Sequence, residues 1–529
     1  MGRHSGGEHT EMPQEPSTDG ARRPGNPTLS RHWKLAVVAA AGIATLAGGT
    51  TVISGQMVTA ETADAKAPAH RAAAAPARSG EGVGEQEYWA EHAGNPDWKP
   101  GTDEDDRSGG STDETGSHGE HADSDEHGKK GPDGPHEEDS GSRDQDDAGT
   151  DDEDAREEVP CDPNALIAAI TEANNNGGGT LSLAEKCTYP LTANQDSNGL
   201  PEIIQPITIH GNGATIARAA NADPFRFFHV EAGGDLKLRH LTLTRGEAVL
   251  GGAILVEASG RLDLDKVALT QNSATEGGAI HNEGIAHIRH STLTRNDVGG
   301  GIGGAIRNLT GTVDISTTEI TYNTGDGRGG GLRTDGGALR INKSLISHNS
   351  SGHSGGIDAV GMVEIEQSVV KNNTASLTGG GIGVAAVPMY VRESIISDNT
   401  ASDNGGGIAF SSIGVGDGGA VIEDSRIEDN TSLSGDGGGI HVQDDNDDVA
   451  IRRSTITGNQ TPAGTGAGLY INAGTVTLTD TKVKKNIADT APGGVYNNGT
   501  LNTHGKIRIV DNVPTNCTGS PSPVPGCFG

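Results

Sequence analysis

Asparagine returns in this chain at Asn272, Asn296, Asn323, Asn349, Asn373, Asn399, Asn430, Asn459, Asn486 and Asn512, about 24 to 31 residues apart, which is a period of stacked repeat architectures. The residues before each Asn repeat with it. Positions ten, eight and three upstream are mostly apolar, and the position five upstream is mostly Ser or Thr. One copy reads Val313, Ile315, Thr318, Ile320, Asn323; others read Leu339, Ile341, Ser344, Ile346, Asn349 and Val476, Leu478, Thr481, Val483, Asn486. Steps of two are the strand period, and the step of three marks a bend joining two strands. A third strand follows a glycine pair, as in Gly251-Gly-Ala-Ile, Gly277-Gly-Ala-Ile, Gly303-Gly-Ala-Ile, Gly379-Gly-Gly-Ile, Gly405-Gly-Gly-Ile and Gly437-Gly-Gly-Ile. Glycine there admits a tight corner at positive φ.

One such unit cannot bury its apolar face alone, whereas stacked units bury it against each other. The expected fold is all-β: a right-handed parallel β-helix solenoid of about 13 coils, three strands per coil and ~60 Å long at the inter-strand spacing. The handedness follows from the crossover rule. Asn is expected to stack on Asn in a corner as an amide ladder. A Gly/Asn-rich linker would not hold an apolar register through ten copies, and leucine-rich repeats need a different spacing.

Composition agrees with thin coils: 82 of 529 residues are Gly and 3% are aromatic. The net charge of −33 argues against nucleic acid, because phosphate binding needs Lys and Arg.

Residues 1–60 read as an export segment. Arg22, Arg23, Arg31 and Lys34 precede an apolar run from Leu35 to about Ile53, and small-residue sites follow. Either the segment is cleaved, after Ala60 or Ala65, or it stays as an anchor, since its length approaches a membrane span. Both place the remainder outside the membrane, so membrane contact is expected only through this segment. Residues 61–160 read as a disordered linker. From 101 to 160, 23 acidic residues face 5 basic ones, and such a segment cannot offset its ordering entropy by apolar burial. Its His118, His121, His127 and His136 read as part of a solvated run rather than as metal ligands.

The folded part is expected over 161–513. Asp162 before Pro163 is a helix start, and Leu166, Ile167 and Ile170 share one face of a short helix over 163–174. That helix would cap the open end of the solenoid, which otherwise exposes strand edges. The chain has four Cys, and in an exported protein they read as two disulfides. The rod separates the pairs, which selects Cys161–Cys187 and Cys517–Cys527, the second closing a Pro-rich tail over 514–529. A zinc site is the alternative.

These blocks resemble the right-handed parallel β-helix proteins of bacteria, and are similar to the passenger repeats of polymorphic outer-membrane proteins. The front end, from Cys161-Asp-Pro-Asn-Ala-Leu-Ile to Ile207-Thr-Ile-His-Gly-Asn-Gly, resembles the opening of many secreted members. The resemblance covers about residues 161–513 and implies an adhesin-like role. It departs at the C-terminal end, where the repeats run almost to Gly529 and leave no room for a membrane barrel; no wall-sorting motif follows either.

Candidate chemistry is sparse. Gln443-Asp444-Asp445 looks like the paired-Asp motif of polygalacturonases, and His504-Gly505 with Lys506-Ile507-Arg508 looks like other fragments of it. The order is wrong and a further motif is missing, and His504 and Ile507 fall on inward repeat positions, so chance is the better account. Asp444, Asp445, Asp447 and Asp448 form an acidic corner with oxygen ligands suited to Ca²⁺, beside a second corner insertion, Ser411 to Gly418, carrying Asp417. No other cofactor and no catalytic residue is assigned. His281, His287 and His290 read as strand-surface residues. Trp33, Trp89 and Trp98 all precede the solenoid, and its few Tyr and Phe are scattered, which disfavours a sugar platform.

The expected function is a secreted or surface-tethered, adhesin-like binding protein without catalysis, its partner a cell-envelope polysaccharide or a surface protein. The alternatives are a polysaccharide lyase or hydrolase of the pectate-lyase-like class and a structural spacer. A cleft of acids with a basic residue on one sheet would favour the enzyme. A surface bare of any patch beyond the acidic corner would favour the spacer.

Overall fold

The computed structural model describes residues 156–385, 388–410 and 419–529. The export segment, Ala60 and Ala65, nearly all of the acidic linker, and the Ser411–Gly418 insertion with Asp417 lie outside the described residues. No helix among the described residues is long and apolar enough to cross a membrane.

The described residues form a parallel β-helix of about thirteen coils, one strand laid on the next, with no antiparallel ladder among them. The register is residue-for-residue. Ile280 pairs with Ile254 and Ile306, and Ile288 pairs with Leu264 and Ile315. Identical inward positions therefore meet, and Ile, Leu and Val from every coil make one continuous core. The apolar residues ten, eight and three before each Asn supply most of it, as their spacing requires.

Most coils have four strands rather than three. The glycine pair leads into a short strand such as Ile280–Asn282, here called the glycine sheet. The second sheet follows (Ile285–Arg289), then the third (Thr292–Thr294). After the Asn, a two- to five-residue strand adds a fourth, as in Thr324–Arg328 and Thr374–Ala375. Its sequences (Thr-Ala, Thr-Ser, Gln-Thr) carry no apolar alternation, which is why the period does not reveal it.

The corners explain the spacing. The first glycine of each pair has φ between 59° and 72° at Gly251, Gly277, Gly303, Gly329, Gly379, Gly405, Gly437 and Gly466. Two further corners, six residues and one residue before the Asn, also have positive φ but hold side chains: His290, Thr317 and Lys343 at the first, Arg295, Tyr322 and His348 at the second. A left-handed L-residue costs roughly 1–2 kcal/mol. Hydrogen bonds offset that cost next door. Ser291 Oγ donates back across the bend to the Arg289 carbonyl (2.7 Å) and accepts the Val267 N–H of the preceding coil (3.1 Å). The same Ser/Thr relay runs on through Thr318, Ser344, Ser368, Ser394, Ser425 and Ser454.

The Asn ladder is continuous from Asn272 to Asn512. From Asn296 on, each Oδ1 accepts both the backbone and the side-chain N–H of the preceding Asn, and each Nδ2 also donates to a carbonyl of the preceding coil. Asn349 shows the pattern, donating to Asn373 Oδ1 from N (2.9 Å) and Nδ2 (3.0 Å) and to Ile320 O (2.9 Å). Gly246 N–H starts the ladder and Asn516 Oδ1 ends it. All ten Asn side chains are buried, so every polar atom requires such a partner.

Both ends are closed. The helix Pro163–Asn175 is capped by Asp162, whose carboxylate accepts the Asn164 N–H, and it buries Leu166, Ala169, Ile170 and Ala173. Ile167, expected on that face, is half-buried. Disulfides join Cys161 to Cys187 and Cys517 to Cys527. The Pro-rich tail bonds to the last glycine-sheet strand through Ser520 Oγ to Val495 O and Asn497 Nδ2 to Pro523 O.

Candidate functional site

The glycine sheet has an outward face as well as an inward one. Strand alternation turns Ile280 and Asn282 inward and His281 between them outward. The register then carries that outward position up the rod as one side chain per coil: His229, Leu255, His281, Arg307, Arg333, Asp358, Gly383, Ala409, His441, Tyr470 and Tyr496. The residue before each glycine corner borders this file on one side (Glu276, Arg328, His353, Thr378, Asn404, Asp436). Glu257, Glu283, Asp335, Gln443 and Asn472, two residues after the file position, border it on the other.

The N-terminal and middle coils hold a chain of alternating charge. His281 lies between Glu283 (Nε2 to Oε1, 3.4 Å) and Glu276 (Nδ1 to Oε2, 3.7 Å). Arg307 contacts Glu276 and Asp335, and Arg333 contacts Asp335 (Nε to Oδ2, 2.8 Å) and Asp358. Asp358 is 3% exposed and also accepts from Ser354 Oγ at 2.7 Å. Arg328 Nη1 stands 3.8 Å from Asp358, and His353 Nδ1 lies 3.2 Å from Thr378 Oγ1. Burial works against the charge of Arg333, and Asp335 and Asp358 more than reverse it. Burial pulls the His281 imidazole below its usual range, against the pull of Glu283 and Glu276. Burial and Arg328 pull His353 the same way.

The C-terminal coils carry rings. His441 and Tyr470 stack with centroids 5.0 Å apart, and Tyr470 and Tyr496 stack at 4.6 Å, all within 7° of parallel. Burial lowers His441 to about 4, so it is neutral at pH 7. Burial, with Asp436 adding, pushes the Tyr470 hydroxyl up to about 12. Burial likewise raises Asp436, against the Thr465 N–H that it accepts.

At the first coils, ligand-type atoms of Glu202, His229 and Glu231 come within 4.8 Å of one another. Both ring nitrogens of His229 face carboxylates, Glu202 at 3.4 Å and Glu257 at 3.1 Å, and the buried Arg226 guanidinium feels the same two acids. That arrangement is an ion-pair cluster. A cleft of about 480 Å³ opens nearby, lined by Ile167 and Thr171 of the helix and by loop residues including Asn198 and Glu202.

The acidic corner divides. Asp447 is buried and its Oδ2 accepts the Asp444 N–H at 3.1 Å; burial raises its pKa, with Asp444 adding to the effect. Asp444 is half-buried, and Asp445 and Asp448 are exposed. Arg453, which follows in sequence, pairs with Glu423 and Asp424 of the preceding coil.

Three sequence readings are corrected. His281 is 1% exposed and belongs to the charged file, while His287 and His290 are partly exposed beside Asp314 and Asp265. His504 is exposed rather than inward. Gly505, at φ 69°, adds a residue to the last bend, so Leu501 and Thr503 take the inward register opposite Val476 and Leu478. The scattered tyrosines are scattered only along the chain, because stacking collects Tyr470 and Tyr496 over His441. The file was missed because each member is a lone residue. Aligning the glycine pairs and reading the position after the following Ile, Leu or Val would have found it.

The coils define a right-handed parallel β-helix protein. The family described as right handed beta helix region matches residues 379–513, the segment carrying the ring column. No curated protein matches the chain. Among solved structures the chain is similar to the A-module of a mannuronan C-5 epimerase of Azotobacter vinelandii, at 13% identity over 65% of this chain and 94% of that one, with a TM-score of 0.36. It is similar to PfbA, a surface adhesin of Streptococcus pneumoniae, at 11% identity over 69% and 92%, with a TM-score of 0.37. It is also similar to tailspike protein 3 of bacteriophage CBA120, at 14% identity and a TM-score of 0.33, covering 68% of this chain and 59% of the tailspike.

Proposed function

We propose that this is an extracellular, non-catalytic binding protein, secreted or tethered through its N-terminal segment, that lays an extended polysaccharide along the outward face of the glycine sheet. The observation that carries this reading is the file itself: one polar or aromatic side chain for most coils, repeated every ~4.8 Å along the coil axis. A polymer with its own repeat can meet such a file many times, and many weak contacts sum. Among the described residues, the exposed apolar side chains of Val249, Leu377, Leu433 and Ile487 lie in or just after the fourth strand, away from this face, which disfavours the apolar core of a protein–protein interface. Catalysis is disfavoured because Glu276, Asp335 and Asp358 are tied to Arg307 and Arg333, whereas a general acid or base must reach its substrate.

A carbohydrate-acting enzyme is the second reading. The observation favouring it is the strained Ser354 corner holding Asp358 beside Arg328 and His353. Affinity electrophoresis of the full chain through gels containing neutral or acidic polysaccharides, with product analysis, tests both. Retention without new chain ends supports binding; product release abolished by Asp358→Asn supports the enzyme. Neither retention nor release defeats both.

A further inference from the structure

The two halves of the outward face differ in what they leave available. In the middle coils each of two arginines is occupied by two carboxylates, Arg307 by Glu276 and Asp335, and Arg333 by Asp335 and Asp358. A ligand anion would have to displace a partly buried carboxylate to reach either one. In the last three coils, Lys and Arg are absent from the file and from the positions that border it. Asp436 is the one carboxyl at those positions, and the others carry hydroxyl, amide or ring groups. His441 is neutral at pH 7, and Asp436 is engaged by Thr465 N–H and the Tyr470 hydroxyl. The chain as a whole, at −33, repels anions.

The ring column is built to stand close to the backbone. A Cβ at Gly466 would lie 2.9 Å from Tyr496 Cβ and 3.0 Å from Tyr470 Cβ, and one at Gly437 would lie 2.9 Å from His441 Cβ. Glycine at those corners leaves the space the rings use. Tyr470 and Tyr496 remain half-buried rather than buried, each offering an apolar body with a polar tip. Beside them Asn472 and Asn498 add partly or fully exposed amides, each donating Nδ2 to the carbonyl of the preceding coil. Apolar ring surface next to hydroxyl and amide groups, without a cation, matches a sugar that has C–H and O–H groups but no charge.

We propose that the ligand is an uncharged, hydroxyl-rich polysaccharide seated on the His441–Tyr470–Tyr496 column, while the charge-paired coils serve as rigid floor. This inference rests on the polysaccharide-binding reading above. The test is affinity electrophoresis of the full chain against neutral polymers (dextran, laminarin, galactomannan) and acidic ones (polygalacturonate, alginate). Retention by at least one neutral polymer is expected, weakened roughly tenfold or more in Tyr470→Ala and Tyr496→Ala. Tyr496→Phe keeps the ring and is expected to retain most of the binding, which guards against a folding artefact. Retention by acidic polymers alone, or retention that both Tyr→Ala variants leave intact, overturns this inference and leaves the binding reading standing. Retention by no polymer overturns both.

Discussion

Ser354 donates its hydroxyl to Asp358 at 2.7 Å from a backbone corner, φ 59°, that glycine occupies in the coils on either side. The serine side chain fills the space beside Gly383 in the next coil, where an added Cβ would collide with Ser354 Oγ and approach Asp358 Oδ1 to 3.4 Å. Gly383→Ala is therefore expected to destabilise the protein by roughly 1–3 kcal/mol through overpacking. Ser354→Gly alone relieves the corner but loses a hydrogen bond to a carboxylate, and is expected to be slightly destabilising. The double variant should be more stable than the sum of the single changes predicts. Urea denaturation of the four proteins measures this, and strict additivity would show that the two residues are not coupled.

Arg333 sits between two carboxylates, one of them buried. Arg333→Ala leaves Asp335 and Asp358 without their shared cation, and the expected loss is about 3–5 kcal/mol. Arg340→Ala, at an exposed pair with Asp314, is expected to cost well under 1 kcal/mol. Equal losses in the two variants, measured by denaturant unfolding, would contradict the picture of a buried charge file.

Asn373→Ala removes an acceptor of two N–H groups from Asn349 and a donor to Ile346 O and Asn399 Oδ1. The backbone groups left behind are buried in the corner, so the expected cost is roughly 3–5 kcal/mol. Amide exchange should quicken most in the coils that end at Asn349 and Asn399, because each coil contacts chiefly its neighbours. Exchange that quickens evenly along the rod would contradict the ladder's local role.

His441 gives a pH signature. Its folded pKa, about 4, lies below the usual 6.5. A base with a lowered folded pKa contributes stability that is full above pH 6.5 and is lost progressively as pH falls toward 4. The wild type should therefore lose about 3 kcal/mol more than His441→Gln between pH 7 and pH 4. Acids such as Asp436 contribute to both proteins and largely cancel in the difference. Parallel pH profiles would show that His441 is solvated rather than buried.

The coils were legible because their signal is repeated. Ile320, Thr318 and Asn323 mean little singly, but the same spacing ten times leaves one way to bury the apolar positions and satisfy the Asn amides. The four cysteines were legible because a rod keeps its ends apart. The outward file was not legible by that logic. Stacking demands sameness inside and imposes none outside, so His281, Arg333, Asp358 and Tyr470 differ from coil to coil and never register as a motif. Their relationship exists only through the ladder that aligns them. The fourth strand escaped for a related reason: residues such as Thr374 and Ala375 pair through their backbones and need no periodic side chains.

The central claim, that a polysaccharide runs along the outward face of the glycine sheet, is tested most directly by hydroxyl-radical footprinting of the full chain with and without a retaining polysaccharide. The account predicts protection at the half-buried Tyr470 and Tyr496, and none at exposed aromatic or aliphatic residues of other faces, such as Tyr322 at a corner and Tyr390 on the second sheet. Protection of Tyr322 or Tyr390 with the ring column unchanged would contradict it, as would a chain that no polysaccharide retains.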